Sequence, residues 1–298
     1  MPKTYWTLML LLGVAVGCGS DTDTDKTNND SGSDTATPQG KFEDCILSTA
    51  SGDIPETLHS SSGIQETTTH GNFQKHILVN GITLVAKNDV SDSFLLNVAQ
   101  TITELLPDYD SPEQAAVLEK LYAYKATIPV FAGGENGVDI EAIESIENQA
   151  SICDIIMQDV EYGQAMEVLE HLLHHATNIG LNKAMPDAWG LSTDSALFEV
   201  MQQAIDDGIY GIRDYEEIPE ENIRNRVLLQ EFSYWIITSY WDLQTRYGPE
   251  PSSEWKARTT AELQEKLPDA YNLVNSLLPV MRPPQTQTLD RFSDWEGK

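Results

Sequence analysis

The sequence is poor in basic residues. It has 18 Lys and Arg against 47 Asp and Glu in 298 residues, a formal net charge of −29. A surface this negative repels the phosphates of nucleic acid and of anionic lipid headgroups. We therefore expect no nucleic acid partner, and no binding of the folded protein to an anionic membrane surface.

Cysteine is scarce as well, with three residues in the chain. The first, Cys18, follows a basic start at Lys3 and an apolar run (6–16) that is too short to cross a membrane. The letters Ala-Val-Gly-Cys are typical of a bacterial lipobox, so 1–17 is predicted to be a lipoprotein signal peptide and Cys18 its lipidation site. An ordinary cleaved signal peptide is the alternative. The lipoprotein prediction places the protein outside the cytoplasm, in the periplasm or at the cell surface, with the lipid as its only membrane attachment.

Apolar residues are almost absent from 18–40, which is rich in Asp, Thr, Ser and Asn. Such a segment cannot bury enough apolar surface to offset the entropy lost on folding, so it is predicted to be a disordered acidic tether. The remaining residues, 41–298, suffice for one large domain or two lobes. We predict a β-containing lobe over about 41–163 and a helical lobe over about 164–298.

The other two cysteines are Cys45 and Cys153. Outside the cytoplasm, an even pair of cysteines more often forms a bridge than stays free. We therefore predict a Cys45–Cys153 disulfide, which would pin the start of the folded region to the segment just before the histidine-rich stretch described below.

The hydrophobic pattern indicates few strands followed by many helices, without an internal repeat or a β-α alternation. This order is typical of a mostly helical α+β domain with a small N-terminal sheet. Asn80-Gly81 between two apolar runs predicts a hairpin, and Pro129 makes the predicted strand 126–132 an edge or end strand. Helices are predicted over 93–106, 112–125, 139–157, 164–179 (closed by Gly180), 194–207, 224–247, 259–267 and 270–278, with a polar loop at 182–190.

Histidine is also rare, and three of the six fall within Glu170-His171-Leu172-Leu173-His174-His175. On a helix, Glu170 and His174 are four residues apart and share a face, with His171 one step round from both. Two donors at i and i+4 are typical of a metal-binding helix. His175 lies nearer the apolar side, which is formed by Ala165, Leu169, Leu172, Leu173 and Ala176. A hydrophilic helix face that binds no metal is the alternative.

Taken in order, these segments resemble the zincin-type metallopeptidases related to the catalytic domain of anthrax lethal factor. That family's strand and Val-Ser-Asp helix start are similar to VNGITLVAKNDVSDSFLLNVAQTI, and its H-E-x-x-H helix to EHLLHHATNIGL. Its next helix pair, whose second member provides the third zinc ligand, resembles DSALFEVMQQAIDDGIY and QEFSYWIITSYWDL, and its closing segment RTTAELQEKLPDAYNLVNSLL. The resemblance covers about 76–281 and implies a zincin-like fold and a Zn²⁺ cofactor.

Matched position by position, the resemblance implies that Glu170, His174 and Glu231 bind the zinc ion. His171 stands where the family has its catalytic glutamate, so Glu and His are exchanged relative to H-E-x-x-H. Two carboxylates would neutralise Zn²⁺ and leave the pKa of its bound water nearer the ~9 of the aqueous ion than the ~7 of an all-histidine site. His171 is nevertheless the expected base, since imidazole titrates near neutral pH.

Other assignments of these residues stay open. A second ligand set is His171, His175 and Glu231. The carboxylate of Glu231 could instead form an ion pair with Arg224 or Arg226. Two tyrosines ahead of the third-ligand helix, Tyr210 and Tyr215, either donate hydrogen bonds to an oxyanion or serve as packing residues.

Three functions therefore follow from the sequence. The first is a lipid-anchored, zinc-dependent peptidase with variant ligands that acts on a peptide or protein substrate. The second is a catalytically inactive zincin-like lipoprotein that keeps its cleft for binding. The third is a plain surface lipoprotein without metal.

Overall fold

The computed structural model describes residues 45–297. The predicted signal peptide, the lipidation site Cys18 and the tether lie outside the described residues. The fold is α+β, as predicted, with a small mixed sheet in the N-terminal part of the described residues. The expected order of strands first and helices afterwards was wrong in part, because helices also lie between the third, fourth and fifth strands. None of the helices within 45–297 combines the length and apolar character needed to cross a bilayer.

The sheet has five strands in the order β1-β2-β3-β4-β5. The strands β1, β2 and β3 pair antiparallel, and the pairings β3–β4 and β4–β5 are parallel. The predicted hairpin joins β2 and β3 through Asn80 (φ 47°) and Gly81 (φ 84°), both in the left-handed region that a two-residue hairpin turn requires. The strand bounds are Gln65–Glu66 (β1), Lys75–Val79 (β2), Ile82–Ala86 (β3), Thr127–Phe131 (β4) and Ile156–Met157 (β5).

Strand β4 lies inside the sheet, so the prediction that Pro129 marks an edge was wrong. On the β5 side, β4 is paired at Val130–Ile156 and Phe131–Met157, and Ala126 forms an isolated bridge with Ser151. Pro129 lies between these pairs and has no N–H to donate. The sheet therefore tolerates a proline here, because Pro129 itself has no paired residue on this side.

Eleven α-helices lie within the described residues. Four of them, α1, α2, α7 and α9, begin at a Ser or Thr whose side-chain oxygen accepts an N–H three residues on, as N-caps do. The helix bounds are Asp92–Leu105 (α1), Pro112–Ala123 (α2), Ile140–Glu144 (α3), Gln164–His175 (α4), Asn182–Ala184 (α5), Pro186–Trp189 (α6), Ala196–Asp206 (α7), Glu221–Tyr240 (α8), Thr260–Lys266 (α9), Pro268–Asn275 (α10) and Thr286–Asp290 (α11).

Three predicted elements differ from the structure. The helix predicted over 139–157 is helical only in α3, because the backbone of its second half bonds to β4 instead. The long helix predicted to reach residue 247 ends at Tyr240, two residues before Asp242 adopts a left-handed φ of 56°. The loop predicted over 182–190 contains the short helices α5 and α6.

The histidine helix does not stop at Gly180 either. It continues from α4 through a π-helical segment, Ala176–Leu181, into α5. Gly180 is needed for packing, because a Cβ added there would lie 2.8 Å from Val117 Cγ1 on α2. Helix α4 packs against α8, β5 and α1, and the largest hydrophobic core contains residues of all four elements. The polar residues of α4 that face α8 and β5 are therefore enclosed rather than solvated.

Candidate metal centre

Helices α4 and α8 bring Glu170, His174 and Glu231 together. One ligand atom from each lies within 4.8 Å of the others, and His174 Nε2 is 3.6 Å from Glu231 Oε1. His174 is fully buried, Glu231 is 5% exposed and Glu170 is half-buried. The three residues predicted from the resemblance thus share one enclosed space, in which Glu170 is the most accessible.

The Nε2 atom of His174 has no hydrogen-bond partner within the described residues. Leaving a buried polar atom without a partner costs about 1–3 kcal/mol, so such atoms are rare unless a ligand completes them. The other ring nitrogen, Nδ1, lies 2.8 Å from Asp154 Oδ2. Because Nε2 faces Glu231 and has no partner, the arrangement fits a cation that would accept the nitrogen lone pair.

The carboxyl groups of Glu170 and Glu231 lie in surroundings that disfavour their ionised forms. Burial, then the neighbouring Glu167 and Asp154, raises the pKa of Glu170 to about 8, although His171 opposes the shift. Burial and the charge of Glu170 raise the pKa of Glu231 well above its ordinary value. Two acids that resist ionisation beside an imidazole lone pair form a site that either protons or a cation would neutralise.

His171 lies between two further carboxylates. Its Nε2 is 3.6 Å from Asp154 Oδ2 and its Nδ1 is 3.3 Å from Glu167 Oε1. Burial lowers the pKa of His171, but the charges of Asp154 and Glu167 outweigh it and raise the pKa well above the ordinary value. The two carboxylates therefore favour the protonated ring. A protonated imidazole donates a proton rather than accepting one, which disfavours the role of base expected for His171.

Asp154 joins His171 and His174 in a second group whose ligand atoms lie within 4.8 Å. Burial raises the pKa of Asp154, yet the charge of His171 and the hydrogen bond from His174 bring it down to about 2. Glu167, four residues before His171, also accepts from Met157 N–H (3.1 Å) on β5. Neither acid figured in the predicted site. Helical spacing to His171 could have pointed to Glu167, whereas Asp154 is placed by strand pairing.

His175 is a structural residue. Its Nδ1 lies 2.9 Å from His171 O and its Nε2 accepts from Cys153 N–H at 3.1 Å, with Thr127 O at the same distance. Burial lowers its pKa to about 4, so the ring is neutral. With both nitrogens placed against backbone groups, His175 connects α4 with β4 and the segment before β5. Among the described residues, the alternative ligand set that included His175 is not assembled.

The remaining candidates take part in packing. Tyr210 O–H lies 3.3 Å from Leu228 O, and Tyr215 O–H donates to Glu254 Oε1 at 2.5 Å. Both tyrosines are buried in an aromatic cluster with Phe232 and Trp255.

The arginines proposed as partners of Glu231 bond elsewhere. Arg224 donates to Ile218 O (2.8 Å), and Arg226 donates to Gln230 Oε1 (3.1 Å).

The predicted disulfide is confirmed. Cys45 and Cys153 are bonded across a sequence separation of 108 residues. A structural disulfide is consistent with an extracytoplasmic location. It ties the first described residue to the segment that carries Asp154.

The chain matches no protein-family model, no curated protein and no solved structure. The likeness to the lethal factor family therefore stays an expectation from sequence. The described residues contain two buried groups that could hold a metal ion, and they share His174. The chemistry proposed for this centre therefore rests on the positions and surroundings of its own residues.

Proposed function

We propose that this chain is an extracytoplasmic metalloprotein that holds one Zn²⁺ ion between α4 and α8. The residues that would hold it are His174, through Nε2, and the carboxylates of Glu170 and Glu231. The observation that carries the proposal is the buried Nε2 atom, which has no partner in the described chain and lies 3.6 Å from Glu231 Oε1. Donors about 2.1 Å from a tetrahedral ion are about 3.4 Å apart, close to this distance.

The donor set favours zinc over the hard cations. Zinc binds imidazole nitrogen and carboxylate oxygen alike, whereas Mg²⁺ and Ca²⁺ take oxygen donors. Two carboxylates would also balance the charge of a divalent ion, and the ion would offset the burial that raises the pKa of both carboxyl groups.

Metal analysis of the full-length protein tests this function. We expect about one equivalent of bound zinc, removable by a chelator and restored by titration. The variants His174→Gln and Glu231→Gln should lose it, while His70→Gln, which changes a histidine in the turn before β2, should keep it. Full zinc binding by His174→Gln, or no zinc binding by the unaltered protein, would overturn the proposal.

The count of protein donors favours a second, finer function, that of a zinc-dependent peptidase. Structural zinc sites have four protein ligands, while catalytic sites have three and leave a position for water or substrate. Here three donors converge, and the half-buried Glu170 marks the side nearest solvent. A bound zinc ion would polarise a substrate carbonyl and lower the pKa of a coordinated water. His171, whose protonated form is favoured by the charges of Asp154 and Glu167, would supply a proton to the leaving group.

Turnover of unfolded protein substrates separates the peptidase from a binding protein. If the peptidase reading is right, His171→Gln should retain zinc and lose activity, because it removes the proton donor without touching the three ligands. Activity that survives this change would exclude His171 from the reaction. No cleavage by the zinc-loaded protein would leave the binding function alone.

Membrane attachment through Cys18 belongs to the same proposal. The lipobox letters, and the disulfide that points to an extracytoplasmic protein, support it. Labelling of cells with a radioactive fatty acid should mark the unaltered protein and not Cys18→Ala. Equal labelling of both would refute lipidation at this residue.

A further inference from the structure

The carboxylate of Asp154 occupies a fixed position. Asp154 is 4% exposed and lies between the disulfide residue Cys153 and strand β5. Cys153 N–H donates to His175, and Ile156 pairs with Val130 of β4, so the backbone is held on both sides. One carboxylate oxygen, Oδ1, accepts from Ile155 N–H at 2.8 Å. The other oxygen, Oδ2, must therefore face His174 and His171.

Two groups compete for His174 Nδ1. Asp154 Oδ2 lies 2.8 Å away and Gln230 Nε2 lies 3.1 Å away. The oxygen of Gln230 accepts from Asn178 (2.6 Å) and Arg226 (3.1 Å), so the end of Gln230 that faces the ring is its NH₂ group. One competitor needs a proton on Nδ1 and the other needs a lone pair there.

The shorter contact decides the tautomer. A distance of 2.8 Å lies within the range of N–H···O bonds to a carboxylate, about 2.7–2.9 Å. Without a proton on Nδ1, two lone pairs would face each other at this distance in a buried site. The proton is therefore on Nδ1, and Nε2 carries the free lone pair.

We infer that Asp154 is a positioning residue that holds His174 in the metal-binding tautomer. This inference rests on the proposed zinc function and extends it to a residue outside the three ligands. A carboxylate that accepts the distal N–H of a ligand histidine fixes the ring orientation, and its loss typically costs 10- to 100-fold in metal affinity. The same Oδ2 atom also lies 3.6 Å from His171 Nε2.

The substitution Asp154→Asn tests the inference, because the Ile155 N–H selects how the new amide sits. The amide oxygen must stay on Ile155 N–H, since a buried donor facing a donor is costly. The NH₂ group then replaces Oδ2 and faces His174 Nδ1. The ring can accept this bond only by moving its proton to Nε2, which removes the lone pair that would bind zinc.

The experiment uses the full-length protein with ¹⁵N-labelled histidine, freed of metal, and reads the tautomer of His174 from two-bond ¹H–¹⁵N correlations. His174→Gln identifies the signal. We expect the Nδ1–H form in the unaltered protein and the Nε2–H form in Asp154→Asn, with the zinc Kd raised roughly 10- to 100-fold in the variant. Asp159→Asn is the matched control, since within the described residues the Asp159 carboxylate is hydrogen-bonded to the neighbouring Gln158 and not to the site.

Each outcome of this experiment either supports or overturns the inference. An Nε2–H ring in the unaltered protein overturns the inference, even if Asp154→Asn does not fold. An unchanged tautomer and an unchanged Kd in a folded Asp154→Asn overturn it as well. A tautomer change without zinc binding by either protein supports the positioning role and overturns the zinc function.

Discussion

Replacing Glu170 by glutamine should stabilise the metal-free protein at neutral and alkaline pH. The pKa of this carboxyl is raised from 4.5 to about 8 in the folded protein. A carboxyl with a raised pKa makes the folded state bind more protons than the unfolded state, so the free energy of unfolding falls as pH rises between these two values. Below the lower value the group is neutral in both states and imposes no cost.

The expected magnitude follows from that interval. A fully buried carboxyl loses about 1.4 kcal/mol for each pH unit, which gives at most about 5 kcal/mol over the whole interval. Glu170 is half-buried and its charge interacts with that of Glu231. Solvent screening therefore reduces the loss in the free energy of unfolding, and we expect about 2 kcal/mol. Glu170→Gln should therefore be about 2 kcal/mol more stable than the unaltered protein at pH 8 and equal to it at pH 4.5.

Urea denaturation with a chelator, at intervals from pH 4.5 to 8.5, measures the effect. Glu199→Gln, the same change at an exposed position on α7, controls for the loss of one negative charge from an acidic protein. Added zinc should reverse the order, because glutamine removes a ligand that the ion would use. Parallel pH profiles for the unaltered protein and Glu170→Gln would refute the electrostatic reasoning, and a stabilisation by Glu199→Gln of the same size would assign it to net charge.

Three further changes address the frame of the site. Replacing Cys45 and Cys153 by serine should lower the free energy of unfolding by about 3–5 kcal/mol, as expected for a bridge that closes a long loop; an unchanged urea midpoint would contradict this. Gly180→Ala should cost about 1–2 kcal/mol because its Cβ would lie 2.8 Å from Val117 Cγ1, and thermal unfolding in a Val117→Ala background should show the cost abolished. His175→Phe should lower the free energy of unfolding by about 1–3 kcal/mol, because it leaves the Cys153 N–H unpaired. The zinc Kd measured by calorimetry should stay unchanged. Loss of zinc binding in a folded variant would make His175 part of the centre.

Short sequence motifs were sufficient to predict the structural elements that contain them. Asn80-Gly81 predicted the hairpin because a two-residue turn needs positive φ at both positions. The pairing of Cys45 with Cys153 followed from their even number and from the extracytoplasmic location that the lipobox predicts. Glycine gave the wrong result at 180, since the same residue type serves a helix end and a close helix crossing, and only the neighbouring helix α2 distinguishes the two.

The environment of the site could not be predicted in the same way. Helical spacing placed Glu170 and His174 together, and the resemblance added Glu231. Neither helical spacing nor the resemblance could show that the polar face of α4 is enclosed by α8 and by the segment before β5. The position of that segment depends on strand pairing between residues far apart in the sequence. Asp154 lies 20 residues before His174 in sequence and reaches it only through that pairing.

The exchange of Glu and His relative to H-E-x-x-H has an electrostatic consequence. In H-E-x-x-H a neutral imidazole binds the metal and an anionic base stands beside it. In the proposed zinc centre, Glu170 would take the ligand position and His171 would take the position of the base. Although burial opposes it, the charges of Asp154 and Glu167 raise the pKa of His171 well above its ordinary value, which favours a proton donor where H-E-x-x-H has a proton acceptor. The second carboxylate, Glu231, would weaken the ion as a Lewis acid, so a coordinated water would ionise less readily than at an all-histidine site.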